Sequence, residues 1–319
     1  MIKDKELYIN DVSNLFYECD IPLQPKIEFN DSTYDCNPED FKDNWLYIAF
    51  LAFKKLKKEK IKVGTFVTIG TGPAIDAIGA AEIFSPELVV LTDINPNVID
   101  IAYRNFLNYS LRKKIKFNTL EGDLCEPLIK NSIKADLIYA NLPNIPNDEI
   151  NLLNMETSTF INSEITKDVP AIYKNYLLST QYKFLIGAKE CLMKDGFALL
   201  NIGARVSVDL LNKLFNDCGY VYKEIVCGFK LQTEAKWVLS GYKQFEQNDL
   251  EFDFYLYEES IKQLENKAYI ASDSGELRNK LKEFRINAKD AYKLDLEGKR
   301  IGHIVQVIKA LPQKSIYKN

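Results

Sequence analysis

Between Thr65 and Gly219 the chain swings between short continuous apolar runs and longer stretches with apolar residues three and four positions apart. The first kind reads as buried strand, the second as amphipathic helix. "TFVTIG", "LVVLTD", "KIKFNTLEGD", "ADLIYAN" and "FALLNIG" are predicted strands. Between them, "PAIDAIGAAEIF", "NPNVIDIAYRNFLNYSL", "YLLSTQYKFLIGAKECLMKDG" (stopped by Gly196) and "VSVDLLNKLFNDCG" (ending at Gly219) are predicted helices. "YVYKEIVCGFK" and "AKWVLSGYKQF" read as two final strands in antiparallel partnership. Such alternation predicts an α/β architecture, a largely parallel sheet with helices on both faces.

The flanks follow other patterns. "IPLQPKIEFNDSTYDCNPED" is rich in Pro, Asn and Asp and reads as loop. It leads into a helix, "DFKDNWLYIAFLAFKKLKK", with Asp43 or Asn44 as N-cap and Trp45, Ile48, Ala49, Ala52 and Leu56 toward a core. From about Glu246 the chain is charged and reads as mostly helical. The sole histidine, His303, falls in the apolar run "IGHIVQVIKAL" and is read as a packed residue with no chemical role.

With 319 residues the chain suffices for one large α/β domain with additions, or for two domains. No stretch approaches the roughly 18 uninterrupted apolar residues of a spanning helix, and "MIKDKELYIND" lacks the apolar centre of a secretory signal. Cys19, Cys36, Cys125, Cys191, Cys218 and Cys227 are scattered without a C-x-x-C pair. Reduced thiols in a cytoplasmic protein are therefore expected, with neither a metal site nor a disulfide framework. A net charge of −4 argues against nucleic acid as partner. The basic run from Phe53 to Lys62 reads as the solvated side of a helix.

Chemistry enters at the strand ends. Gly70 and Gly72 stand at a strand-to-helix turn, where glycine lets the backbone approach a ligand and the helix start offers free N–H groups. A full G-x-G-x-x-G fingerprint is absent, because Ile75 occupies its third position. Asp93 ends the second strand and is placed to accept from both ribose hydroxyls of a nucleoside. Turn and acid together admit an NAD-binding oxidoreductase or nucleotide-binding module as well as an S-adenosylmethionine enzyme.

Three further stretches, "TDINPNVIDIAYRN", "EGDLCEPL" and "ADLIYANLPNIP", follow in order. As a set they resemble class I S-adenosylmethionine-dependent methyltransferases, and within them the branch of protein-(glutamine-N5) methyltransferases. The resemblance runs well from Thr65 to Pro146 and more loosely to Phe245. It implies a Rossmann-like fold, a seven-stranded mostly parallel sheet with helices on both faces, plus N- and C-terminal additions. Residues 61–245 would form the cofactor-binding domain, 1–60 a cap or lid, and 246–319 an addition that either covers the site or pairs two subunits as a homodimer. Gly70, Thr71 and Gly72 would contour the methionine moiety of S-adenosyl-L-methionine, and Asp93 would hold its ribose. Ile94, Asp123 and the Leu124 N–H would receive the adenine. Asn141, with Leu142, Pro143 and Asn144, would hold the acceptor beside the methyl group, leaving S-adenosyl-L-homocysteine as product.

The match departs from its family at several positions. Leu142 and Asn144 replace a proline and an aromatic residue, which removes the surface on which a flat amide or base would stack. Thr68 stands where an acid is usual, Asp76 is a candidate to replace it, and Ala74 takes the place of the motif's last glycine. A small metabolite or peptide-like acceptor, methylated at nitrogen, is therefore preferred over a protein glutamine or nucleic-acid adenine. Tyr34 and Trp45 are candidates for a lid over it, with plain core packing the simpler reading for Trp45.

Overall fold

The computed structural model describes residues 7–33, 42–142, 144–146, 160–161, 168–246, 250–265 and 270–313. The N-terminal part comprises β1 (Tyr8–Asp11), α1 (Ser13–Tyr17), β2 (Lys26–Phe29) and α2 (Trp45–Lys58). The alternating region follows as β3 (Thr65–Ile69), α3 (Ile75–Phe84), β4 (Leu88–Asp93), α4 (Pro96–Lys113), β5 (Lys116–Glu121), α5 (Glu126–Lys130) and β6 (Ala135–Ala140). After the short parallel pair β7 (Ile145–Pro146) and β8 (Phe160–Ile161) come α6 (Ala171–Asn175), α7 (Ser179–Cys191), β9 (Leu192–Gly203), α8 (Val208–Asp217), β10 (Tyr220–Leu231) and α9 (Ala235–Phe245). The chain closes with β11 (Phe254–Leu256), α10 (Tyr257–Leu264), β12 (Ile270–Ala271), α11 (Ser274–Leu281), β13 (Arg285–Ile286), α12 (Ala288–Leu296) and β14 (Ile301–Pro312).

The main sheet runs β12-β10-β14-β9-β6-β3-β4-β5, with β11 beside β14 and β13 beside β11. Neighbours from β9 to β5 are all parallel, whereas β14 is antiparallel to both β9 and β10. The seven long strands therefore all point one way except β14. This is a Rossmann-like fold, a mostly parallel sheet with helices on both faces.

Consecutive strand residues belong to opposite cores, as the two-residue period of a strand requires. Val67, Val90, Ile138 and Leu200 pack with Phe184, Leu185, Leu211 and Val238. Phe66, Val89, Leu137 and Leu199 pack with Phe50, Phe53, Ile78 and Phe106 on the other face. Burial on both faces is why these strands read as unbroken apolar runs rather than alternating ones.

The structure corrects four expectations. The stretch from Ile21 read as loop contains β2, paired antiparallel with β1. Residues 235–245 form helix α9, not a strand: Val238, Leu239, Gly241 and Tyr242 are buried along one face while Trp237 is 64% exposed. The antiparallel partner of β10 is instead β14, in register from Tyr220↔Pro312 to Leu231↔Gly302 with one irregularity. The stretch from Glu246, read as mostly helical, thus contributes α10, α11 and α12 but also a strand of the main sheet. Finally, α7 ends at Cys191 rather than at Gly196, because Leu192 turns to extended backbone and pairs with Ala135. Gly196 lies inside β9, where a Cβ would fall 2.6 Å from the Ala135 carbonyl oxygen. It permits a close strand approach and stops no helix.

Asn44 is the cap of α2, its side chain accepting from the Leu46 N–H at 2.9 Å. Asp43 accepts from the Leu231 N–H at 2.7 Å, tying the start of α2 to the end of β10. The β1–β2 hairpin docks on α4 through Asn105, which exchanges hydrogen bonds with the Glu28 backbone and donates to the Pro73 carbonyl at 3.0 Å. Cys19, Cys125, Cys191, Cys218 and Cys227 are buried free thiols, and Cys36 lies outside the described residues. Among the described residues no helix is long and apolar enough to cross a membrane.

Candidate active site

Ile69 and Ala140 are register partners on adjacent parallel strands, so the chain leaves β3 at Gly70 and β6 at Asn141 side by side. From β3 the chain builds outward to β4 and β5, then crosses back to place β6 on the other side. The gap between β3 and β6 is thus the point where strand order reverses, and sheets of this kind bind ligands there, at the carboxyl ends of the strands.

A cleft with about 130 Å³ of water-accessible space opens at that point. Gly70, Thr71 and Gly72 form one wall, and Asn141, Leu142 and Asn144 another. The glycine turn is held from beneath. Thr71 N–H donates to the Thr92 carbonyl at 2.9 Å, and Gly72 N–H donates to Asp93 Oδ2 at 3.3 Å. Gly70 and Gly72 take φ values of +67° and +53°, a region costly for residues with a Cβ. Ala74 adopts the same region at +65°, where the resemblance has a glycine. A Cβ at Gly72 would meet nothing within 4 Å, so the backbone there faces open space.

Asp93 accepts from the Asn95 N–H at 3.0 Å as well as from Gly72. Burial pushes its carboxyl up to about 6. Asp76 is buried more deeply, and desolvation takes it to about 7 against the hydrogen bonds from Ala77 N–H and the Thr68 hydroxyl. It does not line the cleft. Ile94 is 37% exposed beyond the end of β4, an apolar side chain left to solvent. Asp123 and Leu124 follow β5, half-buried, with Leu124 at φ +45°. Burial, with Glu126 adding, raises the Asp123 carboxyl, and Lys183 opposes.

The residues expected from the sequence therefore fall in two groups. Gly70, Thr71, Gly72, Asn141, Leu142 and Asn144 share the cleft, whereas Asp93, Ile94, Asp123 and Leu124 line up on the ends of the next two strands. Pro143 and Tyr34 lie outside the described residues. Trp45 lines the cleft from the start of α2, and its carbonyl accepts from Asn201 Nδ2 at 3.0 Å.

The far wall was not foreseen. It comes from the ends of β9 and β10 and the start of β14, and brings Arg205, Lys230, Gln232 and His303 to the cleft. Arg205 Nη2 donates to Gln232 Oε1 at 2.6 Å and Nη1 to the Tyr242 hydroxyl at 3.4 Å. The Asn144 side chain hydrogen-bonds the same hydroxyl. The guanidinium lies 5.1 Å from the Tyr242 ring centre and 5.6 Å from that of Phe254. His303 is packed as expected, and burial, aided by Arg205 and Lys230, lowers it well below the usual range, so it is neutral. Glu234 also lines the cleft, its carboxyl raised by burial. Two later residues hold this wall in shape: Arg278 donates to the Ala204 and Val206 carbonyls at 2.7 Å each, and Asp253 N–H donates to the Arg205 carbonyl at 2.8 Å.

No family model matches the chain. It is similar to the release factor glutamine methyltransferase of Mycoplasma mycoides subsp. mycoides SC, with 32% identity over 96 residues, 29% of this chain and 33% of that protein. The chain thus matches about a third of that relative's length. Among solved structures, the ribosomal protein L11 methylase of Lactobacillus delbrueckii subsp. bulgaricus superposes with a TM-score of 0.38 and 16% identity over 60% of this chain and 74% of that one. The precorrin-6y C5,15-methyltransferase of Geobacter metallireducens gives 0.39 and 13% over 83% and 87%. The fold itself is defined by the strand order β10-β14-β9-β6-β3-β4-β5, with β14 alone reversed.

Proposed function

We propose that the protein is an S-adenosylmethionine-dependent methyltransferase acting at nitrogen on a small metabolite or peptide-like acceptor. The observation that carries this reading is the pairing of Ile69 with Ala140, which sets the glycine turn and Asn141 side by side at the sheet's switch point. The local stretch of likeness to a glutamine methyltransferase agrees with it.

The turn suits such a cofactor. Gly70 and Gly72 present backbone without side chains, and the buried Thr71 Oγ1 has no partner among the described residues. In this reading Gly70, Thr71 and Gly72 receive the methionine moiety, Asp93 accepts from the ribose hydroxyls, and Ile94, Asp123 and Leu124 take the adenine. When bound, the cofactor supplies a methyl group already activated by a sulfonium.

What is left to the protein is alignment and exclusion of water. The Asn141 carboxamide oxygen and the Leu142 carbonyl accept the two N–H bonds of a planar –NH₂, which directs its lone pair at the methyl. Because Pro143 follows, Leu142 is biased to extended backbone, so its carbonyl stays aimed. Gln181 Nε2 lies 3.4 Å from that carbonyl, whose second lone pair remains for an acceptor. In this reading Trp45, at the start of α2, belongs to the cleft's cover, and Arg278 and Asp253 brace its far wall.

A second reading, protein glutamine-N5 methylation, draws on the Mycoplasma relative. The replacement of an aromatic by Asn144 weighs against it. Isothermal titration with S-adenosylhomocysteine tests the first claim, and absence of binding heat at millimolar ligand would end it. Tritium transfer from labelled cofactor into release factor would promote the second reading over the first.

A further inference from the structure

Four residues lining the cleft carry buried polar atoms that meet no partner among the described residues: Thr71 Oγ1, Asn201 Oδ1, Arg205 Nε and His303 Nδ1. Buried donors and acceptors are rarely left so, and several around one cavity mark a place where a ligand completes the bonding. Arg205 is the most demanding of them. It is 6% exposed, always charged, and bonded only to the neutral Gln232 and Tyr242; it forms no ion pair among the described residues. An uncompensated buried guanidinium is costly, and a bound anion removes the cost.

We propose that Arg205 anchors a carboxylate carried by the methyl acceptor. This rests on the methyltransferase reading above and names its substrate class. Tyr242 and Phe254 flank the guanidinium, which favours approach at its edge, and the planar fork suits a planar two-oxygen partner. Lys230, also buried in this wall, adds positive potential, and His303, neutral, offers Nδ1 at the same surface. The departures from the family's turn agree with this. Asn144, in place of a stacking aromatic, bonds the Tyr242 hydroxyl that Arg205 also engages, so the turn is coupled to a charged anchor instead of a flat face.

The methionine carboxylate of the cofactor is the other source of such a group. Position favours the acceptor. Gly203 ends β9, which is separated from β3 by β6, and strands lie roughly 4.8 Å apart. Arg205 therefore stands on the far side of Asn141 from the glycine turn.

The test is a thermal-shift titration of the protein saturated with S-adenosylhomocysteine, against free amino acids, their primary amides and inorganic phosphate. Some free acids are expected to raise the melting temperature, their amides to fail, and Arg205→Gln to weaken the acids at least about tenfold, as loss of a charge-assisted pair predicts. Arg205→Lys, which keeps charge without the fork, should fall between. S-adenosylhomocysteine affinity in Arg205→Gln should stay within a few-fold, which also reports that the variant is folded. Equal shifts by acids and amides, no shift by any acid, or a larger shift by phosphate would overturn the proposal. So would a large loss of S-adenosylhomocysteine affinity in Arg205→Gln, which assigns the anchor to the cofactor. Failure of the wild-type protein to bind S-adenosylhomocysteine at all is instead the failure of the methyltransferase reading.

Discussion

The Thr68 hydroxyl donates to the Asp76 carboxylate at 3.2 Å, joining the strand that enters the glycine turn to the helix that leaves it. Thr68 stands where the resemblance has an acid, and the acid it bonds, Asp76, lies beneath the turn without lining the cleft. Asp76 is buried there, titrating near 7 where an ordinary aspartate titrates near 3.8. Between these values the folded state holds a proton that the unfolded chain releases, so stability falls as pH rises through the window. Asp76→Asn keeps an oxygen for the Ala77 N–H and cannot ionise. It should melt higher than wild type at about pH 8, with the gap closing as pH falls toward about 4. Asp93 shifts in the same direction in both proteins and largely cancels from the difference. A gap independent of pH would show that folding does not raise the Asp76 carboxyl.

Asp93 gives a binding counterpart. As a carboxylate it accepts from Gly72 and Asn95 N–H groups, and in the proposed complex from ribose hydroxyls too. Charge-assisted bonds are worth about 1.5–3 kcal/mol each, so Asp93→Ala should weaken S-adenosylhomocysteine at least about tenfold. With the carboxyl raised to about 6, wild-type affinity should also decline as pH drops below that value, because protonation removes acceptor capacity. Titration calorimetry at several pH values measures both effects. Unchanged affinity in the alanine variant would reject the ribose assignment.

The helix layer offers a stability test independent of function. Gly79 in α3 faces α2, and a Cβ there would lie 2.2 Å from Phe50 Cε1. That ring is fully buried and packed against Phe16 and Phe53, so it has little room to yield. Gly79→Ala gains about 1 kcal/mol of helix propensity but overpacks at a cost of about 1–3 kcal/mol. Overpacking should prevail, seen as a lower urea midpoint with unchanged slope. Adding Phe50→Leu should restore part of the loss.

The stretch from Thr65 to Asn141 was legible because both sheet faces are covered at its centre: β3, β4 and β6 are short, mostly apolar runs, and α4 carries a separate periodic face. Its site residues sit at strand ends, where sequence order and spatial order coincide from β3 to β5 and β6 crosses back beside β3. Legibility failed where pairing is remote. Residues 235–245 carry Trp237, Val238 and Tyr242, residue types frequent in strands, yet their burial follows one helical face. The true partner of β10 lies beyond an intervening stretch of about seventy residues, and no local pattern announces it. Arg205, Gln232 and His303 follow or begin three different strands and meet only once β14 inserts between β9 and β10. The one hint was the lone histidine in an apolar run.

Asn141 separates binding from chemistry. It follows Ala140, the register partner of Ile69, and lines the cleft opposite the glycine turn. If its carboxamide orients an acceptor –NH₂, Asn141→Ala should leave S-adenosylhomocysteine affinity within a few-fold while turnover falls. Misplacing a reacting group by about 1 Å costs on the order of a hundredfold. The loss should appear in kcat and kcat/KM together, since an orienting contact matters most in the transition state. Asn141→Asp retains the oxygens but adds charge beside the sulfonium, which should tighten cofactor binding and slow the step that neutralises it. A sulfur acceptor has no N–H pair to hold, and the alanine variant would then keep most of its activity. Wild-type turnover in Asn141→Ala would therefore reject nitrogen as the acceptor atom while leaving the cofactor assignment to stand on Asp93.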